Sequence, residues 1–119
     1  MQPLLDLPTL HALGDNARRQ RPLRGTAHEL DLHPVVKLFT PDASCTWLLT
    51  ELDPADQDTA FGLCDLGLGS PELGYVSLRE IIHLRGRMGL PVERDLHWNA
   101  TMPLSVYARV ARKLGYLLV

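Results

Sequence analysis

Seven carboxylates, Asp42, Glu51, Asp53, Asp56, Asp58, Asp65 and Glu72, fall between Leu38 and Leu78 with no lysine or arginine among them. Carboxylates move protons in general acid–base chemistry, and they hold hard cations when several oxygens converge. Spread over a surface, they set up a negative field that attracts a basic partner, much as nucleic-acid phosphates do. The spacing here matches no calcium-binding loop. Asp53, Asp56 and Asp58 lie in or beside "DPADQD", where aspartate favours turns. The stretch therefore reads either as a solvated, turn-forming loop or as an acidic surface made by Glu51, Asp53, Asp56, Asp58, Asp65 and Glu72 that meets a basic protein.

A second constellation lies in "LRGRMGLPVERDLHW" and comprises Arg85, Glu93, Arg94, Asp95 and His97. Strand alternation places Glu93, Asp95 and His97 on one side, residue types that serve acid–base or metal chemistry. The same alternation places Arg94 with Val92, Leu96 and Trp98 on an apolar side. A guanidinium there needs an acid, because an unpaired buried charge is costly. Glu72 and Glu80 are the first choices, and Asp65 is a further one. The alternation thus predicts a structural ion pair, with an anion-binding arginine as the other reading.

The remaining sequence offers no catalytic machinery. "GLGSPELG" lacks the lysine of a phosphate-binding loop, and no Ser or Cys sits in a nucleophile elbow. His11, His28, His33 and His83 show no ligand spacing, and Cys45 and Cys64 have no second pair to make a zinc site. No catalytic residue, metal ligand or cofactor is assigned. Arginines 18, 19, 21 and 24 could make nonspecific, salt-dependent phosphate contacts. Aromatic residues do not interleave with them, which argues against sequence-specific reading of nucleic acid.

The chain has 119 residues, a formal charge of -2, 45% hydrophobic and 22% charged residues. That suits one folded domain with a real core and excludes a globally basic nucleic-acid binder. No apolar run is long enough for a membrane helix. "MQPLLDLPTLHALGDN" lacks the basic start of a signal peptide, and the cysteine usage suits a reducing, cytoplasmic setting.

A short helix is expected over residues 1–13, with Pro8 in its first turn and Gly14 as its stop. A polar, arginine-bearing loop or partly mobile arm follows. "VVKLFT", "CTWLLTELD", "TAFGLCDLG" and "LGYVSL" read as strands, the middle two as a hairpin. If Asp53 pairs with Thr59, then Glu51 faces Phe61, Leu49 faces Leu63 and Trp47 faces Asp65. Trp47, Leu49, Phe61 and Leu63 then share one core face, and Cys45 and Cys64 point to opposite faces. Ser77 with Glu80 is a capping box opening a helix. "VERDLHW" alternates as a strand, and "TMPLSVYARVARKLG" is a helix that Thr101 could cap. The predicted class is α+β, an antiparallel sheet of about five strands with two to three helices packed mainly on one face. Residues 1–33 form the helix and arm, and residues 34–119 a single domain.

In order, the pieces "FTP", "TW", "TELDP", "FGLCDLG", "ELGYVSL", "RG", "GLP" and "ERDLH" resemble the bacterial domain-of-unknown-function family 2958, from about Pro34 to the C-terminal helix. The resemblance supplies no catalytic residue. It implies a protein carried by plasmids and integrated mobile elements. The expected function is therefore a small non-enzymatic binding protein, an anti-defence factor of anti-restriction or anti-CRISPR type. Its acidic surface would hold a basic or nucleic-acid-binding host protein. The alternatives are a small carboxylate-dependent enzyme acting on a nucleotide or nucleic acid through Asp65, Glu93 and Asp95, and a homodimeric assembly module.

Overall fold

The computed structural model describes residues 2–119. The elements run α1 (Leu7–Gln20), β1 (Val36–Phe39), β2 (Thr46–Leu52), β3 (Thr59–Asp65), β4 (Glu72–Ser77), α2 (Leu78–His83), β5 (Glu93–Arg94) and α3 (Leu104–Leu114). The strands form one antiparallel sheet in the order β4-β3-β2-β1-β5. This is the expected α+β architecture. The first four strands follow one another in space because short polar turns join them, which only antiparallel pairing permits. No helix among the described residues is long and apolar enough to cross a membrane.

Helices cover both faces. Leu5 and Leu13 join Trp47, Leu49, Leu52, Ala60, Leu78 and Ile81 in one core, which brings α1 and α2 to the same face. The opposite face packs Leu48 and Leu63 against Leu104, Tyr107, Ala108 and Ala111 of α3. Leu48 and Leu49 are both fully buried, so β2 is apolar on both sides and reads as a continuous hydrophobic run. Full burial of each such leucine contributes about 1.5–3 kcal/mol.

The hairpin register is the expected one only near its loop. Asp53 N–H donates to Thr59 C=O and Glu51 faces Phe61, but the register shifts between Leu49 and Glu51. Beyond this bulge Leu49 faces Gly62, Leu48 faces Leu63 and Trp47 faces Cys64. One extra residue flips every side chain after it. Trp47 and Leu49 therefore lie on the α1 face, while Phe61 and Leu63 pack on the α3 face. Cys45 and Cys64, expected on opposite faces, both pack against the α1-side core as free thiols. Gly62 makes the bulge possible: a Cβ there would sit 2.0 Å from the Leu48 carbonyl oxygen.

The N-terminal segment is part of the same core. Asp6 caps α1 by accepting from Thr9 N–H at 2.9 Å, and the helix runs through Gly14 to Gln20. Gly14 is buried, with the Pro54 ring at ordinary contact distance from where a Cβ would sit. The arginine stretch, expected to be a loop or mobile arm, is half helix and half anchored turn. The buried Gln20 amide donates to Leu30 C=O at 2.7 Å and accepts from Leu30 N–H at 2.8 Å, closing the following loop onto the helix end.

The strand expected over "VERDLHW" is only two residues long. Glu93 and Arg94 pair with β1, and Asp95 then accepts from His97 N–H at 3.1 Å and turns the chain. Val92 joins the α1-side core, Leu96 is exposed, and Trp98 packs on the α3 side, so the three do not share a face. Thr101 does not cap α3. Pro103 occupies that position, and Asp31 accepts from Ser105 N–H at 3.1 Å across the sequence.

Candidate functional site: a groove between α2 and the sheet

The acids named from sequence mostly serve the fold. Glu51 is buried and hydrogen-bonded by the Arg24 guanidinium, which also lies 4.1 Å from the Phe61 ring centroid. Burial works against the charge on Arg24, but the hydrogen bond and charge of Glu51 outweigh it and raise its pKa. Arg21 bonds Asp53 at 3.1 Å. Half of the arginine stretch thus folds back onto the acidic hairpin and pairs with two of its acids, Glu51 and Asp53.

Asp56 accepts from the Thr59 hydroxyl at 2.6 Å, from Thr59 N–H and from Asp58 N–H. These bonds, the Thr59 hydroxyl first, hold its pKa down at about 2. Asp58 accepts from the Ser77 hydroxyl and, at 2.8 Å, from Arg79 N–H, so the hairpin loop helps to cap α2. Ser77 also takes Glu80 N–H at 3.2 Å, the forward half of the expected capping box. Asp65 is buried and ties down the C-terminal tail by accepting from Leu117 N–H at 2.8 Å. Only Glu72 stands exposed without a polar partner, at the start of β4. The six acids do not form one surface.

The second constellation is likewise dispersed. Arg94 pairs with Asp6 at 3.3 Å rather than with Glu72, Glu80 or Asp65. It lies against β1, on the edge of the sheet remote from β4. Thr9 first, and Arg94 after it, lower the pKa of Asp6. Arg85 donates to Ile82 C=O and Leu84 C=O at the end of α2. Asp95 pairs with Lys37 at 3.5 Å, while Glu93 and His97 are exposed. Among the described residues, no three of His, Cys, Asp and Glu gather at metal-binding distance.

An apolar groove of about 420 Å³ opens between α2 and the β3–β4 side of the sheet. Trp47 and Val76 lie on the sheet side, Ile81 and Leu84 line it from α2, and Tyr75 and Glu80 are at its rim. It exists because α2 is only six residues long and turns away at Leu84, which is left 38% exposed. Glu80 is the only charged residue lining it. On the same face of the sheet, burial first and Glu72 second push the Cys64 thiol up to about 11, so it stays protonated and poorly nucleophilic. The capping box of Ser77 and Glu80 marks where the helix opens, and nothing in it shows that the helix stops too soon to close over Ile81 and Leu84. The shortness of "SLREIIHLRG", between a capping serine and Gly86, was the available signal.

The structure is a small α+β domain with helices on both faces of its sheet, most of the acids named from sequence engaged in caps and ion pairs, and an apolar groove beside α2 with Glu80 on its lining. The chain belongs to the DUF2958 family, proteins of unknown function, whose model matches residues 4–118 and so includes α1 and the arginine stretch. No curated protein and no solved structure matches it.

Proposed function

We propose that this chain is a non-enzymatic protein-binding module that seats an apolar and basic segment of a partner protein in the groove between α2 and β4. The observation that carries this reading is the groove itself: an open apolar surface with Trp47 and Tyr75 beside it and Glu80 as its sole charge. An apolar patch with a polar rim is the pattern of productive protein contacts. The basic partner inferred from the acidic sequence span is kept, but Glu80, with Glu72 nearby on β4, takes the place of the hairpin aspartates. The family resemblance supplies the wider role: a mobile-element protein that blunts a host nucleic-acid-targeting defence by holding one of its proteins.

The test is quantitative capture from host lysate by three tagged forms, the parent, Leu84→Glu and Asp56→Asn. The groove reading expects one protein retained by the parent and by Asp56→Asn, and lost by Leu84→Glu. Loss by Asp56→Asn with retention by Leu84→Glu would instead return the contact to the acidic loop.

A further inference from the structure

We infer that two copies of this chain pair through their β4 strands, in an antiparallel arrangement centred on Tyr75 that joins both sheets into one. β4 is an edge strand, paired only with β3. Its ladder to β3 runs without a bulge over all six residues, from Cys64↔Glu72 to Thr59↔Ser77. Proteins usually guard such an edge with a proline, a lysine or a bulge. β4 has none of these, and its sequence is "ELGYVS".

Which main-chain groups are free follows from two hydrogen bonds. Asp53 N–H donates to Thr59 C=O, so Thr59 turns its main chain towards β2; Leu78 N–H donates to Asp58 C=O, so Asp58 turns towards β4. Alternation along β3 and β4 then directs residues 72, 74 and 76 inward and Leu73, Tyr75 and Ser77 outward. Of these outward groups Ser77 C=O is taken by the first turn of α2, which Ser77 caps; the others have no partner among the described residues.

A two-fold axis at Tyr75 places Leu73 opposite Ser77 of the second copy and Tyr75 opposite its own counterpart. The outward groups left free then pair with about four main-chain hydrogen bonds, two between the Tyr75 residues and two from Ser77 N–H to Leu73 C=O. The neighbouring register, centred on Gly74, sets Glu72 opposite Val76 of the second copy and so draws it away from Arg79. The Tyr75 register also matches charge. Glu72 at the start of β4 and Arg79 just past its end are exposed, and neither side chain has a polar partner in the monomer. Antiparallel pairing sets the start of one strand beside the end of the other, so each Glu72 meets the other copy's Arg79. A self-complementary edge of this kind is what an isologous dimer requires. Tyr75 and Ser77 also line the groove, but Leu84 lies off β4, so Leu84→Glu should spare dimerisation while it abolishes partner capture, which separates the two readings.

Sedimentation velocity over a micromolar dilution series tests it. The parent should approach twice the 13.3 kDa chain mass as concentration rises. Leu73→Pro removes only an outward N–H and should hold the chain at monomer mass with an unchanged circular dichroism spectrum. Glu72→Arg and Arg79→Glu should each weaken dimerisation at least tenfold, and the two together should restore it. Folding defects would not be repaired by the double change. A parent that stays monomeric throughout, or a dimer indifferent to Leu73→Pro and to the charge swap, overturns the inference.

Discussion

At the corner where residues 21–24 cross the β2–β3 hairpin, both arginines meet acids. Arg21 holds Asp53, and Arg24 holds Glu51. At a second corner, comprising β4 and the start of α2, the side chains of Glu72, Arg79 and Glu80 are exposed and bond to nothing among the described residues. The residue types are the same. The difference is burial: Glu51 is 8% exposed and cannot be left unpaired, whereas Glu72 is hydrated and has no need of a partner. The comparison teaches that a run of charge in sequence identifies neither a site nor a strut until the chain shows which charges have been taken out of water.

The strongest way to break the first corner is Gly62→Ala. A Cβ placed 2.0 Å from Leu48 C=O and 2.9 Å from the Leu49 Cα forces β2 and β3 apart and disrupts the bulge that turns Glu51 and Phe61 towards Arg24. We expect a loss of about 4 kcal/mol in a denaturant titration, among the larger single-residue effects. Arg24→Ala strands Glu51 and strips the cation from Phe61, and should cost about 3 kcal/mol. Glu51→Gln in the Arg24→Ala background should recover part of it.

Arg94→Ala should cost only about 1 kcal/mol, since its partner Asp6 is exposed and exposed pairs are weak. Acid should loosen the hairpin loop. Asp56 has a folded pKa of about 2 against an ordinary 3.8, so its contribution is present above the ordinary value and is lost as pH falls towards the lower one. The stability gap between the parent and Asp56→Asn should therefore narrow on acidification through that window. Smallest of all, Glu72→Gln should move stability by less than about 0.5 kcal/mol. A larger loss would mean that the second corner is a strut as well.

Much of the fold was legible because local chemistry fixed it. Pro–Asp turns separate β-branched and apolar runs, Ser77 opens α2, and Leu104, Tyr107 and Ala111 recur at helical spacing. Apart from the short turn after Arg94 and the cap of α3, the misreadings involve contacts distant in sequence. The bulge opposite Gly62 split an expected core face in two, and it would have been suspected only from a lone glycine inside a strand. α1 runs on through Gly14, which lies buried near Pro54, about forty residues on. The arginine stretch looked mobile because its anchors, Leu30, Glu51 and Asp53, lie elsewhere in the chain. The groove was the least legible feature, since it depends on where a helix stops relative to a sheet.

Amide hydrogen exchange on the chain, alone and with its captured partner, addresses the central claim most directly, because it reports both corners in one experiment. The account expects slowed exchange in α2 and the Tyr75–Ser77 segment on partner binding, with the Pro54–Asp58 loop and residues 21–24 unchanged. Protection centred on that loop and on Arg21–Arg24, with α2 unaffected, would contradict it.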